Sequence, residues 1–210
     1  MAYGDFTMDQ LSEQFGLEVQ PVRHLVAGHP PVAVSAWLQE SLRRLASLGI
    51  QTNTEKARSE FVVAPVLGEV RGQLDDQISI LSGVDFNVDP GRGLRGKCDF
   101  LLGLTTTQFV VRAPMIAVVE AKNENVPRGV AQCLAELIAV QEFNRAAATP
   151  LDPLLGVVTT GSNWKFLRLE GRTALVDEDE YYLVQVDRVV GIFVAELRAG
   201  QAQLAAAARS

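Results

Sequence analysis

Cysteine and histidine are scarce in this chain of 210 residues. The two cysteines, Cys98 and Cys133, cannot build the disulfide framework of a small secreted protein. The two histidines, His24 and His29, are too few for a histidine-rich metal site. No apolar run approaches the ~20 residues that a membrane helix needs, and the segment MAYGDFTMDQ lacks the apolar centre of a signal peptide. We therefore expect a cytoplasmic protein with no membrane partner.

Positive charge is also limited. Lysine and arginine total 19 against 25 acidic residues, which gives a formal net charge of -6. A protein that coats nucleic acid without specificity depends on basic side chains that neutralise phosphates, so this class is disfavoured. A local basic cleft remains compatible with the composition, because net charge describes the surface rather than a site. Hydrophobic residues make up 48% of the chain, as in folded globular proteins.

The hydrophobic pattern predicts an α/β (α+β) protein with a central mixed sheet flanked by helices. Residues 1–50 are predicted to form an N-terminal helical extension, and residues 51–210 a single domain that includes a C-terminal helix. The remaining predictions are helices over 34–48, 54–70, 126–145 and from 189, and strands over 78–88, 98–104, 115–119, 154–160, 164–169 and 181–186. The alanine-rich tail is predicted to fray.

One short motif stands out against this background. Glu120-Ala121-Lys122 directly follows the apolar run MIAVV, which is typical of a strand buried on both faces. Residues two apart in a strand point to the same face, so Glu120 and Lys122 should lie side by side. Burying two charges costs several kcal/mol unless they are paired or bind something. The position indicates a site rather than a surface ion pair.

A second acid, Asp99, interrupts the preceding apolar strand in the run CDFLL. If the two strands pair, Asp99 and Glu120 can approach closely enough to hold one metal ion. Two carboxylates and the carbonyl of Ala121 form a set of hard oxygen ligands, which suits Mg²⁺ or Mn²⁺. Lys122 would then hold the attacking water and offset the charge that develops on a phosphoryl group.

Two further side chains are candidates for this site. At 100° per residue, Glu60 falls within the apolar arc of the helix over 54–70, so it is predicted to supply a third carboxylate. Glu55 falls on the other side of that helix and stays open as the alternative. Gln132, early in the helix that follows Lys122, is predicted to orient the nucleophile or a strand phosphate.

A basic, glycine-rich segment, GRGLRGK at positions 91–97, lies just before Asp99. Arg92, Arg95 and Lys97 in this segment are predicted to contact phosphates, as is Arg128 near the start of the following helix. An ordinary flexible turn is an equally good reading of the segment.

The ordered set of Glu60, Asp99, Glu120-x-Lys122 and Gln132 resembles the PD-(D/E)XK nuclease superfamily, which has the restriction-endonuclease-like fold. The runs TEKARSEFVVAPVL and GVVTTGSNWKFLRL are similar to segments of type I restriction subunits and related uncharacterised bacterial proteins. The resemblance covers about residues 54–169. It implies an αβββαβ core, dependence on Mg²⁺ or Mn²⁺, and hydrolysis of phosphodiester bonds. The chain departs from the family pattern in having Cys98 where proline is common and Glu136 where tyrosine is frequent.

The leading functional hypothesis is therefore a metal-dependent nuclease that acts on nucleic acid, with DNA favoured. A homodimer is expected if the enzyme cuts both strands, because a double-strand cut needs two sites. The alternative is a catalytically silent protein of the same fold that acts as a binding or regulatory subunit. The acidic net charge and the lack of an obvious target-recognition domain favour that alternative.

Overall fold

A computed structural model describes residues 1–123 and 126–209 of the chain and confirms the predicted α/β class. Eight strands form one mixed sheet, and helices pack on its two faces. The strands are β1 (Glu18–Val22), β2 (Ser79–Asp85), β3 (Lys97–Gly103), β4 (Met115–Ala121), β5 (Leu154–Thr159), β6 (Asn163–Glu170), β7 (Thr173–Asp177) and β8 (Tyr181–Tyr182). The helices are α1 (Met8–Phe15), α2 (Ala36–Thr52), α3 (Glu55–Arg58), α4 (Ala64–Gln73), α5 (Val126–Ala146) and α6 (Val186–Ala207).

The strands lie in the order β1-β7-β6-β5-β4-β3-β2, and β8 pairs with β6 at one end. β4 and β5 run parallel, as do β1 and β7, and the other neighbours are antiparallel. A parallel pair needs a crossover connection, which α5 supplies between β4 and β5. From α3 to β5 the elements follow the predicted order of helix, three strands, helix and strand.

The two faces of the sheet are covered by different helices. Leu167 and Phe166 are neighbours on β6, so their side chains point to opposite faces. Leu167 lies with Leu137 of α5 over Gly156, whereas Phe166 packs edge-on against Phe193 of α6, with ring centroids 5.7 Å apart. Both strands at the centre of this sandwich, β4 and β5, are buried along their whole length, as their apolar sequences predict.

α3, α4 and the turn between them form one continuous helical rod, but this middle turn is not α-helical. Ser59–Val63 forms a π turn that ends two residues before Pro65. A proline inside a helix lacks the N–H for the backbone ladder, and its ring clashes with the carbonyl of the preceding turn. The wider π turn provides the local adjustment, and it changes the angular phase of the residues around it.

The N-terminal part of the chain corrects one prediction. Residues 1–50 do contain helices, but β1 lies in this part and pairs with β7 in the common sheet. Tyr3, Phe6 and Leu11 are buried in the same hydrophobic core as the sheet. The residues predicted as a helical extension therefore pack as an integral part of the fold.

Other boundaries also differ from the prediction. β1 and β7 were not predicted, and the strand expected over 181–186 stops at Tyr182, where a short 3₁₀ turn begins. The alanine-rich tail is helical to Ala207, because alanine has the highest helix propensity and the preceding turns of α6 are anchored on the sheet. None of the described helices combines the length and apolar character needed to cross a membrane.

A buried acid ties two helices together. Glu69 on α4 accepts hydrogen bonds from the backbone N–H of Ser35, at 2.9 Å, and from its hydroxyl, at 2.5 Å. Ser35 is the residue that caps the N-terminus of α2. Burial alone would raise the pKa of Glu69, but the hydrogen bonds from Ser35 and Gln73 outweigh it and hold this pKa below its ordinary value.

We expect Glu69→Gln to lower the free energy of unfolding by about 1–2 kcal/mol at neutral pH, because an amide cannot accept both bonds from Ser35. A lowered folded-state pKa stabilises the protein above the unfolded-state pKa, and this contribution is lost as the pH falls through the folded-state value. Urea denaturation should therefore show the two proteins converging towards acid pH. A difference that stays constant from pH 7 to pH 3 would contradict this assignment.

Candidate active site

The register of β3 against β4 brings the two predicted carboxylates together. Phe100 pairs with Val119, so Asp99 stands opposite Glu120 one residue further along the antiparallel ladder. Residues directly opposite on such a pair have Cβ atoms about 5 Å apart. The side chain of Asp99 leans across the strand end, where its Oδ2 accepts a hydrogen bond from the N–H of Ala121 at 2.8 Å. The two strands therefore pair as the sequence predicts, and that the two carboxylates hold one metal ion stays a prediction.

Glu120, Lys122 and Gln132 form a hydrogen-bonded group on the face that α5 covers. The Nζ of Lys122 lies 3.1 Å from Oε2 of Glu120 and donates to Oε1 of Gln132 at 3.0 Å. The Nε2 of Gln132 donates to the same Oε2 of Glu120 at 2.7 Å. Glu120 is fully buried, and Lys122 is 14% exposed. The ammonium group therefore stands between a buried carboxylate and solvent.

A third carboxyl group, which the sequence did not predict as a site residue, completes the group. Glu136 is fully buried on α5, one turn after Gln132, whose Nε2 also donates to its Oε1 at 3.1 Å. Among the described residues, neither Oε1 of Glu120 nor Oε2 of Glu136 accepts a hydrogen bond from an N–H or hydroxyl group, and the two carboxyl groups are hydrogen-bonding neighbours of each other. The sequence did contain a signal that Glu136 belongs to the site: it is an acid four residues after Gln132, on the inner face of an apolar helix.

Burial dominates the electrostatics of the group. It raises the pKa of Asp99, Glu120 and Glu136 above their ordinary values. The Glu120 charge raises the pKa of Glu136 further, whereas a hydrogen bond with Glu136 lowers that of Glu120 without outweighing burial. Burial alone would lower the pKa of Lys122, but the Glu120 carboxylate outweighs this effect and raises it. Clusters of carboxyl groups with shifted pKa values in a cleft are characteristic of functional sites.

The donor types are those that a hard cation prefers. Glu120 offers a buried carboxylate, and Asp99 stands opposite it on the next strand; the carbonyl of Ala121 stays the predicted third ligand. Mg²⁺ is commonly bound through one or two carboxylates, with water and substrate phosphates as the other ligands. Within residues 1–123 and 126–209, no cluster of three or more histidine, cysteine or acidic side chains has the arrangement of a metal site. A cation here would thus rely on substrate and water for its remaining ligands.

The predicted role of Glu60 is wrong. Its side chain is 52% exposed and pairs with Lys56 at 2.5 Å on the outer surface of the rod. The prediction assumed 100° per residue, and the π turn over Ser59–Val63 breaks that period. Glu55, the alternative, lies on the correct side: it shares a cavity with Lys122 and acts electrostatically on Asp99.

This cavity has a volume of about 380 Å³, and its lining includes Lys122 and Gln132 but neither Asp99 nor Glu120. Lys122, Gln132 and Glu55 line it together with Arg128, whose guanidinium donates to the carbonyl of Gly4 at 3.2 Å. Gly4 belongs to a short N-terminal turn that packs on α5. Of the four predicted phosphate-binding residues, Arg128 is the one that lines this cavity.

Two basic residues of the glycine-rich segment before Asp99, Arg92 and Arg95, contact other parts of the chain. Arg92 pairs with Asp89 at 2.6 Å and with Glu142 at 2.5 Å, on a different cavity. Arg95 donates to the carbonyl of Met1, and Lys97 is exposed on β3, two residues before Asp99. The segment therefore contacts the N-terminus through Arg95, and Arg92 lies away from the carboxylates.

No protein-family model, curated protein or solved structure matches this chain. Membership of the PD-(D/E)XK superfamily therefore stays a prediction that rests on the motif residues and on the order of the elements.

Close packing between α5 and β4 depends on Gly129. A Cβ atom at this position would lie 2.8 Å from Cγ1 of Val158 and 3.0 Å from Cγ of Lys122. We expect Gly129→Ala to displace Lys122 and to lower the free energy of unfolding by about 1–3 kcal/mol, as overpacking does. Gly72→Ala is the matched control, because Gly72 also lies in a helix but has open space around it. Equal stability of the two variants in urea denaturation would contradict the close approach.

Glu136→Gln removes one of two buried acids that repel each other. We expect this variant, in metal-free buffer with EDTA, to be more stable than the wild type by about 1–3 kcal/mol near pH 8. A raised folded-state pKa stabilises the protein only below the unfolded-state value, and this contribution is lost as the pH rises through the folded-state pKa. The advantage of the variant should therefore grow between about pH 4 and pH 8. A loss of stability at every pH would instead mean that Glu136 serves as an essential hydrogen-bond acceptor.

Proposed function

We propose that the protein is a metal-dependent nuclease of the PD-(D/E)XK type that hydrolyses phosphodiester bonds, with DNA as the favoured substrate. One observation carries the proposal: the buried carboxylate of Glu120 lies opposite Asp99, with the buried carboxyl group of Glu136 and the ammonium group of Lys122 beside it. A structural salt bridge would not bring a second buried acid next to its carboxylate. Lys122 and Gln132 line a cavity, which is where we place the phosphate.

Asp99, Glu120 and the carbonyl of Ala121 would hold Mg²⁺ or Mn²⁺. When bound, the cation polarises the phosphoryl oxygen and lowers the pKa of a water molecule. The protein contributes a fixed arrangement of ligands, since Asp99 is held by the N–H of Ala121 and Glu120 by the amide of Gln132.

Lys122 and Gln132 act on the reacting groups from the protein side. In hydrolysis, water adds to phosphorus while the bond to one sugar oxygen breaks, and negative charge builds up on the phosphoryl oxygens. Lys122 faces the cavity, and its ammonium group stabilises that charge without having to reorganise. Gln132 holds both Lys122 and Glu120, and Arg128 on the same cavity wall provides a guanidinium for a neighbouring phosphate.

The silent binding protein remains the second candidate, and two observations favour it. The described residues contain no group of three or more acidic, histidine or cysteine side chains arranged to hold a metal, and the whole chain carries a net charge of -6. In that case Glu120 and Lys122 would support the fold and a partner would supply any catalytic activity.

Incubation with supercoiled plasmid, linear duplex, single-stranded DNA and RNA, each with Mg²⁺, Mn²⁺ or EDTA, tests the proposal. We expect metal-dependent cleavage that Asp99→Asn, Glu120→Gln and Lys122→Met each reduce by about 100-fold or more, as loss of a transition-state contact does. Glu60→Gln is the matched control and should retain wild-type activity, because Glu60 lies on the outer surface. Linear plasmid formed without a nicked intermediate would indicate that two copies act together.

Calorimetric titration with Mn²⁺ separates the two candidates. Binding to the wild type that is lost in Glu120→Gln, together with cleavage, supports the nuclease. Binding without cleavage of any of these substrates supports the silent protein. Absence of binding in a folded protein contradicts the metal site itself.

A further inference from the structure

A second cavity lies away from the carboxylate group. Its volume is about 590 Å³, and it is bounded by the end of α1, the second half of α5 and the turn between β6 and β7. Arg145 on its wall follows Gln132 by thirteen residues on α5, which corresponds to about 20 Å along a helix axis. The two cavities share no lining residue, so their functions can be tested independently.

Positive charge converges on this cavity although the chain as a whole is acidic. Arg92, Arg145 and Arg172 line it, against Glu13 and Glu142. Arg92 is already neutralised by its pairs with Asp89 and Glu142.

Arg145 and Arg172 differ from Arg92 in this respect. Neither guanidinium makes a hydrogen bond or an ion pair with the described part of the chain. Two arginines at one concave surface are a favourable arrangement for phosphate, which guanidinium groups bind through two parallel hydrogen bonds.

The rest of the wall suits a planar, uncharged group. Phe15, Leu17, Ile138 and Leu169 provide its apolar part. The ring of Phe15 is held in place by edge contact with Phe6, at a centroid distance of 5.8 Å, and by the guanidinium of Arg92, 5.5 Å from the centroid. An ordered aromatic wall costs little further entropy when a ligand packs on it.

Two amide groups add directional contacts. Gln14 donates its Nε2 to the carbonyl of Arg92 at 2.8 Å, and Gln141 donates its Nε2 to the carbonyl of Gly171, also at 2.8 Å. Both residues line the cavity. With the nitrogen of each amide anchored, the two Oε1 atoms remain as acceptors for N–H groups of a ligand.

We propose that this cavity binds a nucleoside phosphate, with the phosphate on Arg145 and Arg172 and the base against the apolar wall near Phe15. A free mononucleotide and the 5′-phosphorylated end of a nucleic acid strand share this chemistry. The volume is within the range of about 300–1,000 Å³ that small-molecule sites occupy. Leu17, Ile138 and Leu169 are almost fully buried, so the half-buried ring of Phe15 is the apolar surface that a base would cover and a bare anion would not. The inference uses none of the residues of the proposed nuclease site.

Calorimetry in EDTA with AMP, GMP, adenosine and inorganic phosphate tests this assignment without any involvement of metal. We expect AMP or GMP to bind at least tenfold more tightly than adenosine or phosphate alone. The double variant Arg145→Gln/Arg172→Gln should weaken nucleotide binding at least tenfold. Arg112→Gln is the matched control, because Arg112 is exposed and lies outside the cavity lining.

Competition identifies the source of the ligand. If a 5′-phosphorylated DNA 12-mer displaces AMP and the same 12-mer with a 5′-hydroxyl does not, the cavity accepts a strand end. If neither displaces it, the ligand is a free nucleotide. No nucleotide binding at millimolar concentration, equal affinity for phosphate and AMP, or unchanged binding by the double variant would each overturn the proposal. Each single arginine variant provides the same readout if the double variant does not fold.

Discussion

Helix α5 can lie close to the central strands because glycine stands at two contact points. A Cβ atom at Gly129 would meet Val158 and Lys122, and one at Gly156 of β5 would lie 2.8 Å from Leu137 and 3.0 Å from the Sγ of Cys133. The close approach brings Gln132 and Glu136 to the end of β4. Without it, Gln132 would not reach Glu120, and the buried carboxylates would lack their amide donor. The polar group thus depends on a packing constraint between apolar surfaces.

Most of the candidate site was predictable, because its residues follow from strand periodicity. A charged Glu120-x-Lys122 pair after a continuous apolar strand is rare enough to indicate a site, and the antiparallel neighbour places Asp99 opposite Glu120. Glu136 was missed because an acid on a helix is usually exposed, although its position four residues after Gln132 places it on the inner face of an apolar helix. Glu60 was misassigned because a helix wheel assumes that every turn has the same number of residues.

The two unpredicted strands show a different limit. β1 contains Pro21 and lies at the sheet edge, where its partner β7 is about 150 residues away in the chain. Its five residues are exposed or half-buried, so neither an alternating pattern nor an apolar run marks them as a strand. Their pairing comes from long-range contacts of the N-terminal segment with the core. By contrast, β4 and β5 were predicted well, since their continuous apolar sequences indicate strands that are buried on both faces.

The π turn in the rod that joins α3 to α4 also has an evolutionary consequence. A π turn holds one more residue per turn than the α-helix around it, so a protein whose corresponding helix is regular throughout has one residue fewer in this turn. Aligning such a protein without a gap within Ser59–Val63 would shift every residue on one side of the turn by one position. Glu55 would then be matched to the wrong neighbour, and comparison of acidic residues between the two proteins would compare side chains that face different directions.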